Sequence, residues 1–556
     1  MLDKIKIFAL GGLDENGKNL YVVEINNDIF VLDVGIKYPE KGMHGIDVIM
    51  PDYTYLKENK KRIKAYIITH GHDDNMGALA FLLKDAPAPV YCSYTTSIMI
   101  KYSLEKMNKN INVNFNIVET TSSHIIANRK VNFFSTTHSI SQSMGAAIST
   151  SQGYIVYATD FIIDSGAFKH FKTDLNAIAK IAESKVLCLL AESSGAESPG
   201  FTSPNHKITP LIREQFQENE ERIIIALHTQ NIFCLKEVID LSVENDKKIV
   251  FFSSDLENIV FELDKKNILN LPAKNRGSII DLSKKSQKDI VVIVSGDGEA
   301  LYRNIQSIVN NETMENKNMV FREEDLVILA AKSASGTESL AVETLDDLYR
   351  SDSQILNISN KIESMHAKKE DLKTLIGLLN PMFYIPINGR YKEMIANAKI
   401  ASNMDIGLNH KNIFVFDNGM VANFQNQKSI PGDIPIISGE LMVDGLGIFD
   451  VGSVVINDRN KLSEDGVVIL GATIDSKSKK VIAGPDVQTR GLVFVKKSDD
   501  LLTELAELYV KIIEDTHNNK NIDFNEKRQI VREKVLRHVK QKTGKYPMIL
   551  SMIVEV

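Results

Sequence analysis

Residues 69–78 read THGHDDNMGA and directly follow the apolar stretch IKAYII at 63–68. A strand over the apolar stretch places the side chains of His70 and His72 on one side of the chain, because side chains alternate along an extended backbone. Two imidazoles on one side can share a metal ion. A full His-x-His-x-Asp-His pattern would serve two ions, but Asn75 stands where its last histidine is expected. The stretch therefore predicts a metal site with one ligand missing.

The bulk composition indicates a soluble protein of two to four domains, with 556 residues, 43% of them apolar and 25% charged. Its cysteines, Cys92, Cys188 and Cys234, have no CxxC spacing, which predicts neither a disulfide framework nor a cysteine zinc site. With no apolar run of about 18 residues and no leader-like start, we expect a cytoplasmic protein without a membrane segment. A net charge of −7 excludes a surface coated in basic charge but permits a local positive channel.

The rhythm of the sequence predicts an α/β fold with an insertion. Residues 1–205 alternate short apolar runs with Gly, Asn and Asp turns, which is typical of a strand-rich domain. Over 206–370, helix-like stretches alternate with buried-strand runs such as RIIIAL, which predicts β-α-β units and a parallel sheet. Residues 371–445 would return to the first domain. We expect a linker at 446–458 and a small α+β domain at 459–556, which contains an amphipathic helix.

Two further ligand candidates also follow apolar runs. His138 comes after KVNFFS, and Asp160 ends the strand-like stretch YIVYAT. Together with His70 and His72 they would meet at one rim, because all four lie at strand ends. Three neutral imidazoles and a carboxylate suit zinc or manganese, and the carboxylate could bridge to a second ion.

These motifs resemble the ribonuclease J family, in the β-CASP branch of the metallo-β-lactamase superfamily. The resemblance extends over nearly the whole chain and includes FALGGLDENGKN, LDVGIKYPE, AESSGAESPGFT, NGRYKEMIANAKIA and TGKYPMILSMIVEV. It implies a metallo-β-lactamase αββα sandwich, split by an inserted β-CASP α/β domain and followed by a C-terminal oligomerisation domain. It also implies RNA as the substrate.

The resemblance assigns the four ligands named above to a first zinc or manganese ion. A second ion would be held by Asp74, by the bridging Asp160, and by two histidines whose places are taken by Asn75 and Asn388. An amide oxygen is tolerated by manganese but substitutes poorly for imidazole at zinc. The second ion is therefore expected to bind weakly or not at all.

Catalytic and RNA-binding roles are likewise implied by the resemblance. Asp74 and Glu192 belong to the acidic motifs, and His366 would assist the leaving group as a general acid. The family usually has glycine where Met365 stands, so its side chain is expected to crowd a bound phosphate. The segments implied to contact RNA contain Ser364, Met365, His366, Thr229, Gln230 and Asn231.

A structural calcium site is the last implied feature. By resemblance its ligands would be Gly45, Asp47 and Asp444. Carboxylate and carbonyl oxygens fit calcium, and the alternative is that the two aspartates are ordinary loop residues.

The replaced histidines resemble a divergent second paralogue within the family. We expect a ribonuclease of weak intrinsic activity that acts with an active paralogue in a hetero-oligomer, or with itself as a homodimer or tetramer. One alternative is an autonomous manganese-dependent 5′–3′ exoribonuclease and endoribonuclease; another is a non-catalytic scaffold of an RNA-degradation complex, with ribosomal or degradosome-like components as candidate partners. A lactonase-type or glyoxalase-type hydrolase would share the HxHxD core, but the inserted domain argues against it. The choice between ribosomal RNA processing and messenger RNA decay stays open.

Overall fold

The chain forms two compact units in the computed structural model, unit 1 with Met1–Tyr38 and Val48–Leu441, and unit 2 with Pro39–Asp47 and Met442–Val556. The structure describes residues 2–40, 42–107, 111–283, 287–314, 317, 319–334, 336–431, 434–445, 447–449, 453–478, 480–492, 499–517 and 524–556. No helix in these ranges is long and apolar enough to cross a membrane.

The strands are β1 Ile5–Gly11, β2 Leu20–Ile25, β3 Asp28–Leu32, β4 Val48–Pro51, β5 Ile63–Ile67, β6 Val90–Cys92, β7 Phe115–Ile117, β8 Ser123–Ile126, β9 Arg129–Ser135, β10 Met144–Thr150, β11 Gly153–Ala158, β12 Val186–Glu192, β13 Ile223–His228, β14 Lys248–Phe251, β15 Ile290–Gly296, β16 Leu326–Leu329, β17 Gln354–Asn357, β18 Phe383–Ile387, β19 Val421–Gln425, β20 Lys428–Ile430, β21 Glu440–Asp444, β22 Gly447–Phe449, β23 Val467–Ile474, β24 Val481–Arg490 and β25 Met548–Glu555.

The α-helices are α1 Thr54–Glu58, α2 Asp73–Met76, α3 Leu79–Asp85, α4 Tyr94–Lys106, α5 Leu175–Ala182, α6 Thr209–Glu218, α7 Ile232–Glu244, α8 Ser254–Asp264, α9 Glu299–Val309, α10 Glu338–Tyr349, α11 Lys369–Leu379, α12 Tyr391–Ser402, α13 Ser453–Glu464, α14 Asp499–His517 and α15 Phe524–Thr543. Short 3-10 helices occur at Lys60–Arg62, Lys169–Phe171, Ala273–Asn275, Ile279–Ser283 and Ser359–Lys361.

Two facing sheets build the first part of unit 1. One has eight strands in the order β20-β19-β1-β2-β3-β5-β6-β7, and the other has six in the order β18-β12-β11-β10-β9-β8. Apolar side chains of both sheets, among them Phe30, Ile67, Phe133 and Leu190, form one buried cluster. Side chains of α5, α11 and α12 pack in a second cluster with those of the six-stranded sheet. This arrangement confirms the expected αββα sandwich.

A separate parallel sheet interrupts the sandwich. Its five strands run in the order β14-β15-β13-β16-β17, and every neighbouring pair is parallel. In sequence it lies between β12 and β18, which are themselves adjacent parallel strands of the six-stranded sheet. The parallel sheet is thus an insertion between two neighbouring strands, as the change of rhythm near residue 206 predicts. The exact domain boundaries stay predictions.

Unit 2 pairs a three-stranded sheet with helices. The sheet has the order β24-β23-β25, and its buried side chains cluster with those of α14 and α15. Val531, Val535 and Val539 of α15 are all 0% exposed, so the predicted apolar stripe faces this core. The predicted linker 446–458 contains β22 and the first residues of α13 in its described part, while 446 and 450–452 lie outside the described residues.

Candidate functional site

Four side chains from different strand ends converge in unit 1. His70 and His72 follow β5, His138 lies between β9 and β10, and Asp160 follows β11. His70 Nε2 and His138 Nε2 each lie 3.1 Å from His72 Nδ1. Asp160 Oδ2 lies 3.2 Å from His70 Nε2. The structure therefore brings all four predicted ligands of the first metal together, with one donor atom of each pointing inward.

The outer nitrogen of each ring is held by the protein. His138 Nδ1 lies 2.9 Å from the carbonyl oxygen of Met365. A carbonyl only accepts hydrogen bonds, so Nδ1 carries the proton and Nε2 directs a lone pair into the cluster. Thr69 Oγ1 contacts His70 Nδ1 at 3.0 Å, and Ser139 Oγ contacts His72 Nε2 at 3.0 Å. Such outer contacts fix ring orientation in metal sites.

The donor set fits a divalent metal ion. Asp160 Oδ2 is buried and accepts no hydrogen bond from any residue in the described ranges. Burial, reinforced by the neighbouring His70, lowers the pKa of His138 to about 3 and that of His72 well below its usual value. Burial acts on His70 in the same direction, but its contact with Asp160 outweighs this and raises its pKa. Imidazoles beside a carboxylate oxygen are the ligands that zinc and similar ions take, with release of any bound proton such as one on His70.

The other oxygen of Asp160 is bonded to the side chain of Asn388. Asn388 Nδ2 donates a hydrogen bond of 2.7 Å to Asp160 Oδ1. Both residues have left-handed backbones, with φ of 46° and 49°, a conformation that asparagine and aspartate tolerate better than most residues. The amide thus presents its N–H group, not its oxygen, to the carboxylate that would bridge to a second ion.

Asn75 is turned away from the cluster. Its side chain is 0% exposed; Nδ2 donates to Asp33 Oδ2 at 2.9 Å, and Oδ1 accepts from Asn19 Nδ2 at 3.3 Å. The amide oxygen of Asn75 is thus bound to Asn19, and Asn388 turns its N–H group to Asp160. The alternative in which both residues accept manganese stays a prediction.

Asp33 is a residue that the motif analysis missed. It follows β3, is 0% exposed, and accepts hydrogen bonds from the N–H of Thr69 at 2.8 Å and from the hydroxyl of Tyr157 at 2.7 Å. Thr69 Oγ1 and Asn75 Nδ2 are also donors to it. Because Thr69 also contacts His70, Asp33 helps through Thr69 to position His70, a predicted metal ligand. The sequence feature that could have identified Asp33 is its position at the end of the apolar run IFVLD.

Asp74 lies in the first turn of α2, outside the group of four converging donors. Burial and the negative charge of Asp160 raise the pKa of Asp74 to about 7. The negative charge of Asp160 thus acts on the carboxylate of Asp74, the predicted second-site ligand. Asp74 is not among the residues that could hold the first ion.

Glu192 and His366 form a second, adjoining group with Asp160. Glu192 Oε2 lies 2.7 Å from His366 Nδ1, and Glu192 Oε1 accepts from the N–H groups of Phe161 at 2.7 Å and Ala367 at 3.1 Å. Burial would lower the pKa of His366, but the carboxylates of Glu192 and Asp160 raise it well above its usual value. A protonated imidazole whose side chain is 29% exposed can serve as a general acid.

Comparison with known proteins decides the family. Three family models match: Metallo-beta-lactamase superfamily over residues 13–122, Ribonuclease J, beta-CASP domain over 220–348, and Ribonuclease J C-terminal domain over 454–556. The chain is 34% identical to Ribonuclease J2 of Bacillus subtilis (strain 168), over 100% of this chain and 99% of the relative. The chain belongs to the ribonuclease J family.

A second relative agrees with this assignment, and a solved structure shares the fold. Ribonuclease J 2 of Staphylococcus aureus (strain MRSA252) is 33% identical over 99% of this chain and 98% of its own length. A crystal structure of a protein of unknown function from Enterococcus faecalis V583 shares the fold, with a TM-score of 0.53 and 14% identity, over 76% of this chain and 100% of its own. The expectation of a ribonuclease J-type RNA-processing protein is confirmed at the level of the family.

One of the two ribonuclease J segments expected to contact RNA is occupied by internal bonds. Thr229 is 2% exposed. Gln230 Nε2 donates to Asp73 Oδ2 at 3.1 Å, and Asn231 Oδ1 accepts from the N–H of Cys234 at 3.0 Å as the N-cap of α7. Gln230 thus joins the inserted domain to the HGHDD loop and Asn231 caps a helix, while Thr229 is buried. Their contact with RNA stays a prediction.

The other ribonuclease J segment is only partly open. Ser364 is exposed and His366 is half-buried, whereas Met365 is 7% exposed. The Met365 side chain is buried, and its carbonyl oxygen orients His138. The expected crowding of a bound phosphate by this side chain stays a prediction.

An arginine stands at the expected calcium site of unit 2. Arg459 Nη2 donates to Asp444 Oδ2, and Arg459 Nη1 donates to the carbonyl oxygen of His44 at 3.1 Å. Asp47 Oδ2 accepts from the N–H of Gly445 at 2.7 Å. A guanidinium group supplies the positive charge here, so the donors do not fit an additional calcium ion. The implied calcium ligands that this finding corrects are Gly45, Asp47 and Asp444.

Proposed function

We propose that this protein is a ribonuclease J-type subunit with one divalent metal site, weak nuclease activity of its own, and an active ribonuclease J chain as its partner. The observation that carries the proposal is the hydrogen bond from Asn388 to Asp160 Oδ1. It supports a single-metal centre, because the oxygen needed to bridge two ions already has a donor. Most of the rate of a two-metal nuclease depends on the pair of ions that clamps the attacking and departing oxygens.

The remaining residues retain part of the machinery. His70, His72, His138 and Asp160 would hold zinc or manganese, which acts as a Lewis acid on a phosphoryl oxygen when bound. Glu192 holds His366 by Nδ1, which leaves Nε2 to carry a proton to the departing oxygen of RNA. This retained pair favours a weak nuclease over a scaffold without catalytic groups.

Metal content and RNA decay by the same preparation test the proposal. We expect about one metal ion per chain and slow, metal-dependent decay of 5′-monophosphorylated RNA. His72→Ala should remove both, since His72 Nδ1 lies at the centre of the cluster, whereas the exposed His410→Ala should change neither. Two ions with rapid turnover by the protein alone would establish the autonomous enzyme instead. Absence of metal and of decay would establish the scaffold.

The proposed partner surface is the outer face of the sheet in unit 2. Leu550, Met552 and Val554 of β25 are 49%, 60% and 46% exposed, and Ile469 of β23 pairs with Leu550. The alternate residues of β25 point into the core. Adjacent exposed apolar side chains of this kind are typical of protein interfaces. The resemblance also implies oligomerisation through this domain, and we assign the face to an active ribonuclease J chain.

Leu550→Lys combined with Met552→Lys should abolish assembly with an active ribonuclease J chain in light scattering, because two ammonium groups would be buried without partners. The matched control is Leu462→Lys, which adds a lysine at another exposed leucine of unit 2. An assembly of unchanged mass with the double variant would show that another surface is used.

A further inference from the structure

A basic cavity of about 470 Å³ lies in unit 1, apart from the metal centre. One wall comes from Phe168 and the 3-10 helix Lys169–Phe171, and the other comes from α7 and the turn after α8. Its lining includes Phe168, Lys169, His170, Lys236, Lys266 and Asn270.

The lining is positively charged. Lys236 is 8% exposed, pairs with Asp240, and lies over the ring of Phe168 at 5.0 Å. Lys169 and Lys266 are exposed at the rim, and neither forms an ion pair with a residue in the described ranges. No carboxylate belongs to the described residues that line the cavity. Lys266 Nζ also lies over the ring of Tyr94 at 5.6 Å, which leaves its charge unneutralised. In a chain of net charge −7, two lysines without an ion pair at one cavity indicate a local preference for anions.

The cavity is separate from the metal centre but lies close behind it. The ring of Phe168 is 5.1 Å from that of Phe233. The N–H of Phe233 donates to the carbonyl oxygen of Ser139 at 2.8 Å, and Ser139 Oγ contacts His72 Nε2. Phe233 and Ser139 therefore stand between the cavity and the predicted metal ligands.

We propose that this cavity binds a nucleoside 5′-monophosphate. Its volume is within the range of small-molecule sites. Lys169 and Lys266 would contact the phosphate as point charges, and the ring of Phe168 offers an apolar wall for the base. The amide of Asn270 adds a polar group that can orient the ligand. The proposal goes beyond the proposed function, because it requires neither a bound metal nor hydrolysis.

Calorimetric titration of the full chain with adenosine 5′-monophosphate, inorganic phosphate and adenosine tests the proposal. We expect the monophosphate to bind more tightly than inorganic phosphate, and adenosine not to bind. Equal affinity for the two phosphates would overturn the nucleotide assignment in favour of a simple anion site. Binding of adenosine as tightly as the monophosphate would overturn the role of the lysines.

Variants locate the binding. Lys169→Ala combined with Lys266→Ala should lower the affinity for the monophosphate at least tenfold. The control is Lys265→Ala, which should leave this affinity unchanged, because Lys265 pairs with Glu262 and does not line the cavity. His72→Ala should also leave it unchanged, which separates this site from the metal centre. Retained affinity in the double variant, or lost affinity in His72→Ala, would overturn the proposal whatever the outcome for the proposed function.

Discussion

Replacing Asn75 and Asn388 together by histidine is expected to raise the metal content from about one to about two ions per chain. RNA decay should accelerate by roughly two orders of magnitude or more. Histidine at 388 removes the amide donor from Asp160 Oδ1, so that this oxygen becomes available to a second ion. Histidine at 75 adds an imidazole beside Asp74. The left-handed backbone at 388 tolerates the change, because histidine is among the residues that adopt positive φ.

Each single replacement should do little, since ligands that act as a unit are strongly non-additive. Elemental analysis and RNA decay are measured on the same preparations. Asn311→His with Asn426→His is the matched control, because these two asparagines have left-handed backbones, as Asn388 does, but lie at the surface. Unchanged metal stoichiometry in the Asn75 and Asn388 double variant would contradict the ligand assignment.

Asp33→Ala is expected to lower the free energy of unfolding of unit 1 by about 3–5 kcal/mol. The truncation leaves the N–H of Thr69, the amide of Asn75 and the hydroxyl of Tyr157 without their acceptor in a fully buried place. Bound metal should fall as well, because Thr69 contacts His70. Denaturant unfolding and elemental analysis give the two readouts.

The control for this prediction lies on the same strand. Asp28 begins β3, is partly exposed, and forms a single ion pair with Lys64 at 3.4 Å. Asp28→Ala should therefore change the free energy of unfolding by less than about 1 kcal/mol. If the two variants lost similar stability, the buried hydrogen bonds of Asp33 would not explain its effect.

Local periodicity was enough to predict the elements that carry the site. The apolar run before THGHDD is β5, and the valine stripe near the end is the buried face of α15. His70, His72, His138 and Asp160 could be grouped from the sequence because each comes soon after an apolar run. The structure shows that the strand ends that carry them belong to two different sheets, β5 to the eight-stranded one and β9 and β11 to the six-stranded one.

Contacts between distant segments could not be predicted in this way. The bond from Asn388 to Asp160 joins residues 228 positions apart, and that from Tyr157 to Asp33 joins residues 124 apart. The sequence shows that an asparagine replaces a histidine, but not whether its oxygen or its N–H group faces the centre. Arg459 likewise carries no local signal that links it to Asp444.

The bond from His138 to the carbonyl oxygen of Met365 ties a metal ligand to the loop that carries Ser364 and His366. On the prediction that an RNA end binds this loop, one contact belongs to two equilibria, the binding of an ion by the imidazoles and the binding of the RNA end by the loop. An RNA end whose binding shifts this loop would change the affinity of the site for the ion. The ion would then change the affinity for RNA by the same factor. On that prediction, RNA acts as an effector of the metal centre.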